Sequence, residues 1–523
     1  MQHVATDIII AGGGLAGMSL ALQIHNRNPH LAITIIEKNT FPVPDTTAKV
    51  GESTVEIGAH YFTEVLGLKE HFQQNHLQKY GLRCFFGNVQ GNFDEHDELG
   101  VSELFGIPAY QIERGTLENH LHQLLTNKGI TIVDGAVPEN IDLGDKQHTV
   151  ICRKGNKQHA FTGRWLVDAA GRQALLRNKL NLNKETGHKG NAVFFRVDKR
   201  VIIDDWSENQ VWQQRVCEPG KRWLSTNHLM GPGYWVWVIP LASGATSFGI
   251  VMDDQALNDS NIQSFEDTLE WLAKEQPNCA RSLQGATLLD FKVMRDYSYG
   301  CKQMFSDQGW AMTGEAGAFS DPFYSPGSDF IALNNTFITH LVERDMQGKD
   351  IRLESALFHK FYDSFFENTL SLYKDQYGGF GDRKMMSVKL VWDYTYYWGV
   401  FALLFFTDAI GDIELMRKIT PNLLKSQKLN KKMQTLLRQR AQKRAVLPAK
   451  SIFMDQFLVP CLSKLNDVLK TKDVNVEHAL EANIAIMQQV VPYFEDMLSD
   501  DPSIDIDETE QALLGHYRQS VLA

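Results

Sequence analysis

Gly12, Gly14 and Gly17 stand at the spacing G-x-G-x-x-G, and the acid Glu37 follows about twenty residues later. Residues of these types at this spacing can hold a dinucleotide. Glycine lets the backbone turn sharply and lets a pyrophosphate approach with no Cβ in the way. The N–H groups of Leu15 and Ala16 then open a helix whose positive end faces the phosphates. Glu37, with Lys38 beside it, is placed to accept from a ribose 2′-hydroxyl. A glycine-rich turn in an ordinary α/β protein is the alternative, and it leaves the position of the acid unexplained.

The elements around these residues are readable from pattern. Ile8 to Ala11 predicts a strand before the turn, Met18 to Ile24 an amphipathic helix after it, and Ala32 to Ile36 a second strand. A Pro/Thr/Asp-rich loop from Phe41 to Lys49 leads to Val50-Gly51-Glu52-Ser53-Thr54 and a helix capped near Ser53 or Thr54. The residues alone leave open whether Gly51-Glu52-Ser53 is more than that helix start. Lys79 to Phe86 reads as a strand in which Lys79 and Arg83 are basic among aromatics; a solvated lysine is the ordinary reading. Tyr110 to Arg114 leads into a helix over Thr116 to Asn127, with Arg114 either near the phosphates or on the surface. A short strand at Thr131 to Asp134 and hairpin-like strands to Phe161 follow. The apolar run Trp165 to Asp168 ends in the small-residue turn Ala169-Ala170-Gly171, suited to packing beside a cofactor.

From Ala192 to Leu289 aromatic-rich alternation predicts a mostly antiparallel sheet, with strands at Ala192 to Val197, Val211 to Val216, Trp235 to Pro240 and Ser247 to Met252. Trp235, Trp237 and Ile239 share one face, which on period alone is core packing. Trp310 to Thr313 is a strand meeting Gly314-Glu315-Ala316-Gly317, then a loop, then a helix from near Asp329. Beyond Arg344 the pattern is helical. An aromatic cluster there, with Trp392, Tyr394, Tyr396 and Trp398, is either core or a lid whose Trp392 and Tyr396 touch an aromatic substrate. The fold class is α/β: a Rossmann-like module over 1–345, an inserted antiparallel sheet at 185–295, and a helical region over 346–523.

Composition narrows the function classes. A formal charge of -11 argues against general nucleic-acid binding. Six scattered cysteines with no C-x-x-C predict neither metal site nor disulfide framework, and a cytoplasmic setting is the simplest. The chain starts almost at once with a strand, so no signal peptide is expected, and the longest apolar run, Tyr396 to Phe406, is too short for a transmembrane segment. Arg417 to Lys450 is basic with no acid, and Glu495 to Glu510 is acidic. These are solvated faces, a mutually neutralising pair, or a basic dock for an acidic carrier protein.

Taken in order, the glycine turn with Glu37, Gly51-Glu52-Ser53, Asp168-Ala-Ala-Gly171, Trp235-x-Trp237-x-Ile239-Pro240 and Gly314-Glu315-Ala-Gly317…Asp321-Pro322 resemble the FAD-dependent halogenases, within the p-hydroxybenzoate-hydroxylase-like flavoproteins. The resemblance spans roughly residues 5 to 345. It implies FAD contacts at Gly12, Gly14, Leu15, Ala16, Gly17, Glu37, Lys38, Gly51, Glu52, Ser53, Arg114, Asp168, Gly314, Glu315 and Gly327. Lys79 falls where the family places its catalytic lysine, and the W-x-W-x-I-P motif is the one that singles halogenases out. The implied chemistry uses reduced FAD, O2 and chloride or bromide to make hypohalous acid. That species passes through a tunnel to Lys79, which orients it or carries it as a haloamine toward an electron-rich ring. No second G-x-G-x-x-G is present for a nicotinamide, so a separate NADH-dependent flavin reductase is implied as partner.

Three departures refine the expectation. Tyr324 stands where tryptophan-type members have Glu, which favours a phenol- or pyrrole-type substrate, free or carrier-tethered. Pro326 cannot donate an N–H in the halide loop, leaving Ser325, Gly327 and Ser328 as the halide candidates. Glu315 replaces the Asp that many members carry at the ribityl contact. A monooxygenase or oxidoreductase of the same fold that uses no halide is the alternative function.

Overall fold

The computed structural model describes residues 2–45, 49–87, 89–216, 218–260, 262–443 and 451–499. Packing divides the chain into two units: Met1–His76 with Ile112–Thr186 and Ser298–Glu367, and Leu77–Gln111 with Gly187–Tyr297 and Asn368–Ala523. The expected sheet insertion at 185–295 compares with Gly187–Tyr297. The helices after 368 belong with the large sheet, whereas the sequence reading set 346–523 apart.

The first unit is built on a five-stranded parallel sheet. Its strands run in the order Trp310–Met312, Trp165–Asp168, Ile8–Ala11, Ile33–Ile36, Thr131–Val133. The first four are buried along their whole length, which is why they read as largely apolar runs, broken only by Thr34 and the terminal Asp168, rather than as alternations. The helix Leu15–Arg27 makes the crossover from Ile8–Ala11 to Ile33–Ile36. Hairpin strands Ala136–Leu143, His148–Lys154 and Lys157–Gly163 form a second sheet, joined by Gln2–Ala5. The helix expected near Asp329 runs over Gly327–Met346.

The second unit holds an eight-stranded sheet. Its order is Leu288–Met294, Asn191–Val197, Thr246–Met252, Tyr234–Pro240, Thr226–Gly231, Leu82–Phe86, Asp97–Gly100, Phe453–Asp455. Pairing is antiparallel except between Thr226–Gly231 and Leu82–Phe86 and at the Phe453–Asp455 edge. One face carries Val193, Phe195, Leu229, Val236, Val238, Phe248 and Ile250 into a core closed by Ile262, Leu272 and Cys279. The opposite face carries Trp235, Trp237 and Ile239, as the period-2 spacing requires.

Local differences from the sequence reading have local causes. Val211 to Val216 is not a strand: the Asn209 side chain accepts from the N–H groups of Val211 and Trp212 and caps the short helix Gln210–Gln213. The strand expected from Lys79 starts only at Leu82, because Gly81 at φ +68° turns the chain. The helix after Gly51 is capped at Val55 and begins at Glu56, one residue beyond the expected cap at Ser53 or Thr54. The Glu52 carbonyl takes the Ile112 N–H and keeps the chain extended that far.

Candidate active site

The three glycines of the turn do three different things. A Cβ on Gly12 (φ +120°) would lie 2.2 Å from the Ala169 carbonyl oxygen, so the turn packs against the end of Trp165–Asp168. A Cβ on Gly17 would lie 2.0 Å from the Gly12 carbonyl oxygen, so this glycine lets the helix close onto the turn. Beside Gly14 nothing lies within 4 Å. The N–H groups of Gly14, Leu15 and Ala16 meet no acceptor among the described residues. Open space bounded by free donors at a helix N-terminus fits a pyrophosphate. Glu37 is buried at the edge of this space. Its Oε2 accepts from Gly13 N–H at 2.7 Å and its Oε1 from Asn39 N–H at 2.8 Å. Lys38 beside it is exposed.

The remaining loops of the first unit surround the turn. Gly314 (φ +58°) brings the Gly314-Glu315-Ala316-Gly317 turn against Ala16. Glu315 is half-exposed and accepts from Arg172 Nε at 3.1 Å. Arg114 donates to the Val50 carbonyl at 2.7 Å and to Glu118 at 3.0 Å, against Gly51, and its buried Nε meets no acceptor. The surface reading of Arg114 therefore falls. An unmatched donor there suits an anionic group. Glu52 and Ser53 are buried. Asp168 spends both carboxylate oxygens on its own loop, accepting from Ala170 N–H at 3.0 Å and Leu176 N–H at 2.8 Å. Burial raises its pKa to about 6. Its geometry is that of a residue that shapes the loop.

Before the helix Gly327–Met346, Tyr324 and Ser325 both adopt left-handed backbone, at φ +68° and +58°. Each costs about 1 kcal/mol or more, a strain that clusters at functional loops. The Ser325 N–H donates to the Pro322 carbonyl at 2.9 Å. This corrects the expectation that Ser325 offers its N–H to a halide. The N–H groups of Gly327 and Ser328, in the first turn of a 20-residue helix, keep no acceptor among the described residues.

Lys79 is buried at 3% exposure between the strand Leu77–Gln78 and the turn at Gly81, and its N–H donates to the Ala109 carbonyl. The solvated reading therefore falls. Lys79 acts on His228, whose pKa drops to about 3, first through burial and then through the lysine's charge. The His228 ring lies 5.3 Å from Trp235, and Trp235 lies 5.7 Å from Trp237. Trp237 rests on Gly249, where any Cβ would meet the indole at 2.2 Å. Trp235 Nε1 donates to Tyr377 Oη at 3.0 Å and Trp237 Nε1 to Ser247 Oγ at 3.2 Å. Ile239 and Pro240 complete the strand. Arg83, four residues from Lys79, points away. It sits in a fully buried ion network with Glu98 and Arg222.

Pattern reading missed several supporting residues. Asn335 is fully buried in an apolar helix. It accepts from Thr313 Oγ1 at 2.7 Å and donates to Ser19 Oγ and Tyr61 Oη, both at 3.0 Å, and to the Ala16 carbonyl at 3.2 Å. It ties the glycine helix to the strand Trp310–Met312. An Asn in the middle of an apolar helix was the available signal. Asp329 takes the Gly58 N–H at 2.8 Å. The aromatic cluster is core: Trp392 is fully buried with its Nε1 on Asn430 at 2.9 Å, and Tyr396 is buried near Asn368. The basic run forms most of the helix Ile413–Ala441. It pairs Lys418 with Glu477, Lys432 with Glu495 and Arg440 with Asp382; residues 444–450 and 500–510 lie outside the described residues. No described helix is long and apolar enough to cross a membrane, and the five described cysteines are free and buried.

A glycine turn of this construction, with free donors at the start of its helix, is the equipment of a dinucleotide-binding enzyme. The tryptophan halogenase family matches residues 7–84 and 75–373, and the chain belongs to that family. It is a flavin-dependent halogenase by class, with FAD as its cofactor. It is 26% identical over 428 residues to the flavin-dependent halogenase chlA of Dictyostelium discoideum, covering 75% of this chain and 70% of that one. It is 25% identical over 353 residues to the 1H-pyrrole-2-carbonyl-(peptidyl-carrier protein) chlorinase of Pseudomonas fluorescens, covering 64% and 74%. The halogenase PltM in complex with phloroglucinol and FAD superposes with a TM-score of 0.67 at 15% identity, covering 95% and 97%. At that identity the likeness is one of fold.

Proposed function

We propose that this enzyme halogenates an electron-rich phenol- or pyrrole-type ring, free or carried on a carrier protein, with Lys79 directing the oxidised halogen. FAD, once reduced by a separate reductase, supplies the oxygen activation that turns halide into hypohalous acid. The chain supplies the rest. Gly14, Leu15 and Ala16 hold the pyrophosphate, Glu37 the ribose, and Arg114 and the Gly314 turn the remaining polar groups. The N–H groups of Gly327 and Ser328 hold the halide. Lys79 donates an N–H to the hypohalous oxygen. Trp235 and Trp237 keep water from the lysine.

The observation that carries this reading is a buried lysine whose charge reaches His228, with the His228 ring 5.3 Å from Trp235 of the halogenase motif. The pyrrole chlorinase among the relatives acts on a carrier-held ring, as its name states, and Tyr324 in place of a carboxylate supports a phenol- or pyrrole-type substrate. A halide-independent hydroxylation is the second reading. It is favoured by Pro326 and by Ser325, whose N–H is spent on Pro322.

The test is a product screen by mass spectrometry. The protein receives FAD, a flavin reductase, NADH and O2, with chloride or bromide, against phenols, pyrroles and indoles, free and carrier-bound. A halogen isotope pattern supports the proposal. A gain of one oxygen with no halogen transfers the assignment to hydroxylation.

A further inference from the structure

The strand Leu288–Met294 is an outer strand of the eight-stranded sheet, paired on one side only, with Asn191–Val197. Its sequence is Leu288-Leu289-Asp290-Phe291-Lys292-Val293-Met294. Leu288 is 37% and Leu289 46% exposed, and Lys292 is exposed. An outer strand with exposed apolar residues is a template for another strand, and proteins that stay monomeric shorten, twist or charge such edges.

The strand is complementary to itself. Two copies related by a two-fold axis normal to the sheet pair antiparallel, and facing residues must point to the same side of the sheet. The axis must then pass through a residue position. Centred on Asp290 it sets Asp290 against itself, and centred on Lys292 it sets lysine against lysine. The register against Asn191–Val197 shifts at Leu289, a β-bulge, so regular alternation holds from Asp290 to Met294. Centred on Phe291 the axis sets Asp290 against Lys292 twice and Phe291 against its own copy, with the bulged Leu289 and Leu288 opposite Val293 and Met294. Each charge meets its opposite and each apolar residue an apolar one. Within the chain Asp290 already accepts from Arg196, at 3.0 Å from Nε, so its carboxylate is held in place.

We infer that Leu288–Met294 is a dimerisation edge: a second copy of this chain pairs with it antiparallel about Phe291 and joins two eight-stranded sheets into one. The interface is isologous, and its register is fixed by the Asp290–Lys292 crossing. This surface is independent of the chemistry proposed above.

Sedimentation velocity on the full chain with FAD, at protomer concentrations from about 1 to 100 μM, tests it directly. The wild type is expected to dimerise. Lys292→Asp sets two acidic residues opposite each other on both sides of the axis and is expected to weaken association about tenfold or more. Asp290→Lys does the same with lysines. Mixed in equal amounts the two variants present Asp against Lys at every crossing, and the heterodimer is expected to return. That rescue also shows that both variants fold; should Asp290→Lys fail to fold for want of its Arg196 partner, Lys292→Asp alone carries the test. A wild type that stays monomeric throughout overturns the inference and leaves the two charges as guards on a bare edge. A dimer unaffected by Lys292→Asp overturns it as well, because the contact then lies elsewhere.

Discussion

The Glu37 carboxylate accepts a hydrogen bond from the Gly13 N–H at 2.7 Å. The acid at the end of the second strand thus holds the glycine turn in shape from the side on which the proposed ribose lies. The Rossmann signature is therefore one bonded unit, and its glycines are separable by experiment.

Gly14→Val places a side chain in open space at an ordinary φ of -81° and is expected to change stability by less than about 0.5 kcal/mol. It should abolish FAD binding, because the added methyls occupy the phosphate approach. Gly17→Ala is expected to do the reverse, costing about 1–3 kcal/mol because its Cβ meets the Gly12 carbonyl oxygen. Flavin absorbance after gel filtration, with urea unfolding of the apoproteins, reads both. Stoichiometric FAD on Gly14→Val would refute the assignment of that space.

Asn335→Leu strips partners from Thr313, Ser19 and Tyr61 at once, all in the packing behind the glycine helix. The expected loss is about 2–4 kcal/mol. Chemical denaturation of the apoprotein measures it. A loss below about 1 kcal/mol would mean that the network relaxes onto other partners.

His228 has a folded pKa depressed from 6.5 to about 3 by burial and by Lys79. The unfolded chain therefore binds the proton more tightly between those values. The stabilisation is complete above pH 6.5 and falls as pH drops toward 3. His76 and His71 are depressed in the same direction, to about 3 and about 4, so the wild type alone does not isolate the effect. His228→Gln should remove on the order of 2–3 kcal/mol of the stability lost between pH 6.5 and pH 4. Lys79→Met should raise the His228 pKa, read by NMR. An unchanged value would mean that the lysine's charge does not reach the ring.

Pro326→Ala restores an N–H beside those of Gly327 and Ser328 without disturbing the backbone, since Pro326 sits at φ -76°. One more donor to an anion is worth about 1–1.5 kcal/mol. The halide concentration for half-maximal rate should fall about fivefold to tenfold. A halide dependence identical to wild type would place the halide away from this helix end.

The parallel sheet was legible because strands buried on both faces are mostly apolar, as Ile8–Ala11 and the Trp165-Leu166-Val167 run are. The tryptophan strand was legible because period 2 fixes which side chains share a face. What stayed hidden depends on residues distant in sequence. Nothing near Arg83 announces that Glu98, shared with Arg222, claims it, or that Ser225 accepts from it, so its spacing from Lys79 misleads. Nothing near Trp392 announces Asn430. The run at Val211 looked like a strand until Asn209 capped it as a helix. Lys79 itself was an ordinary lysine by composition, and the His228 that feels its charge lies far along the chain.

The central claim is that Lys79 directs the halogen, and Lys79→Met tests it most directly. Halogenated product, NADH consumption and released hypohalous acid should be measured in one reaction with the reductase, FAD, O2 and bromide. The account predicts that product is lost while NADH consumption and hypohalous acid release continue at wild-type levels. Product formation at the wild-type rate in Lys79→Met would contradict it.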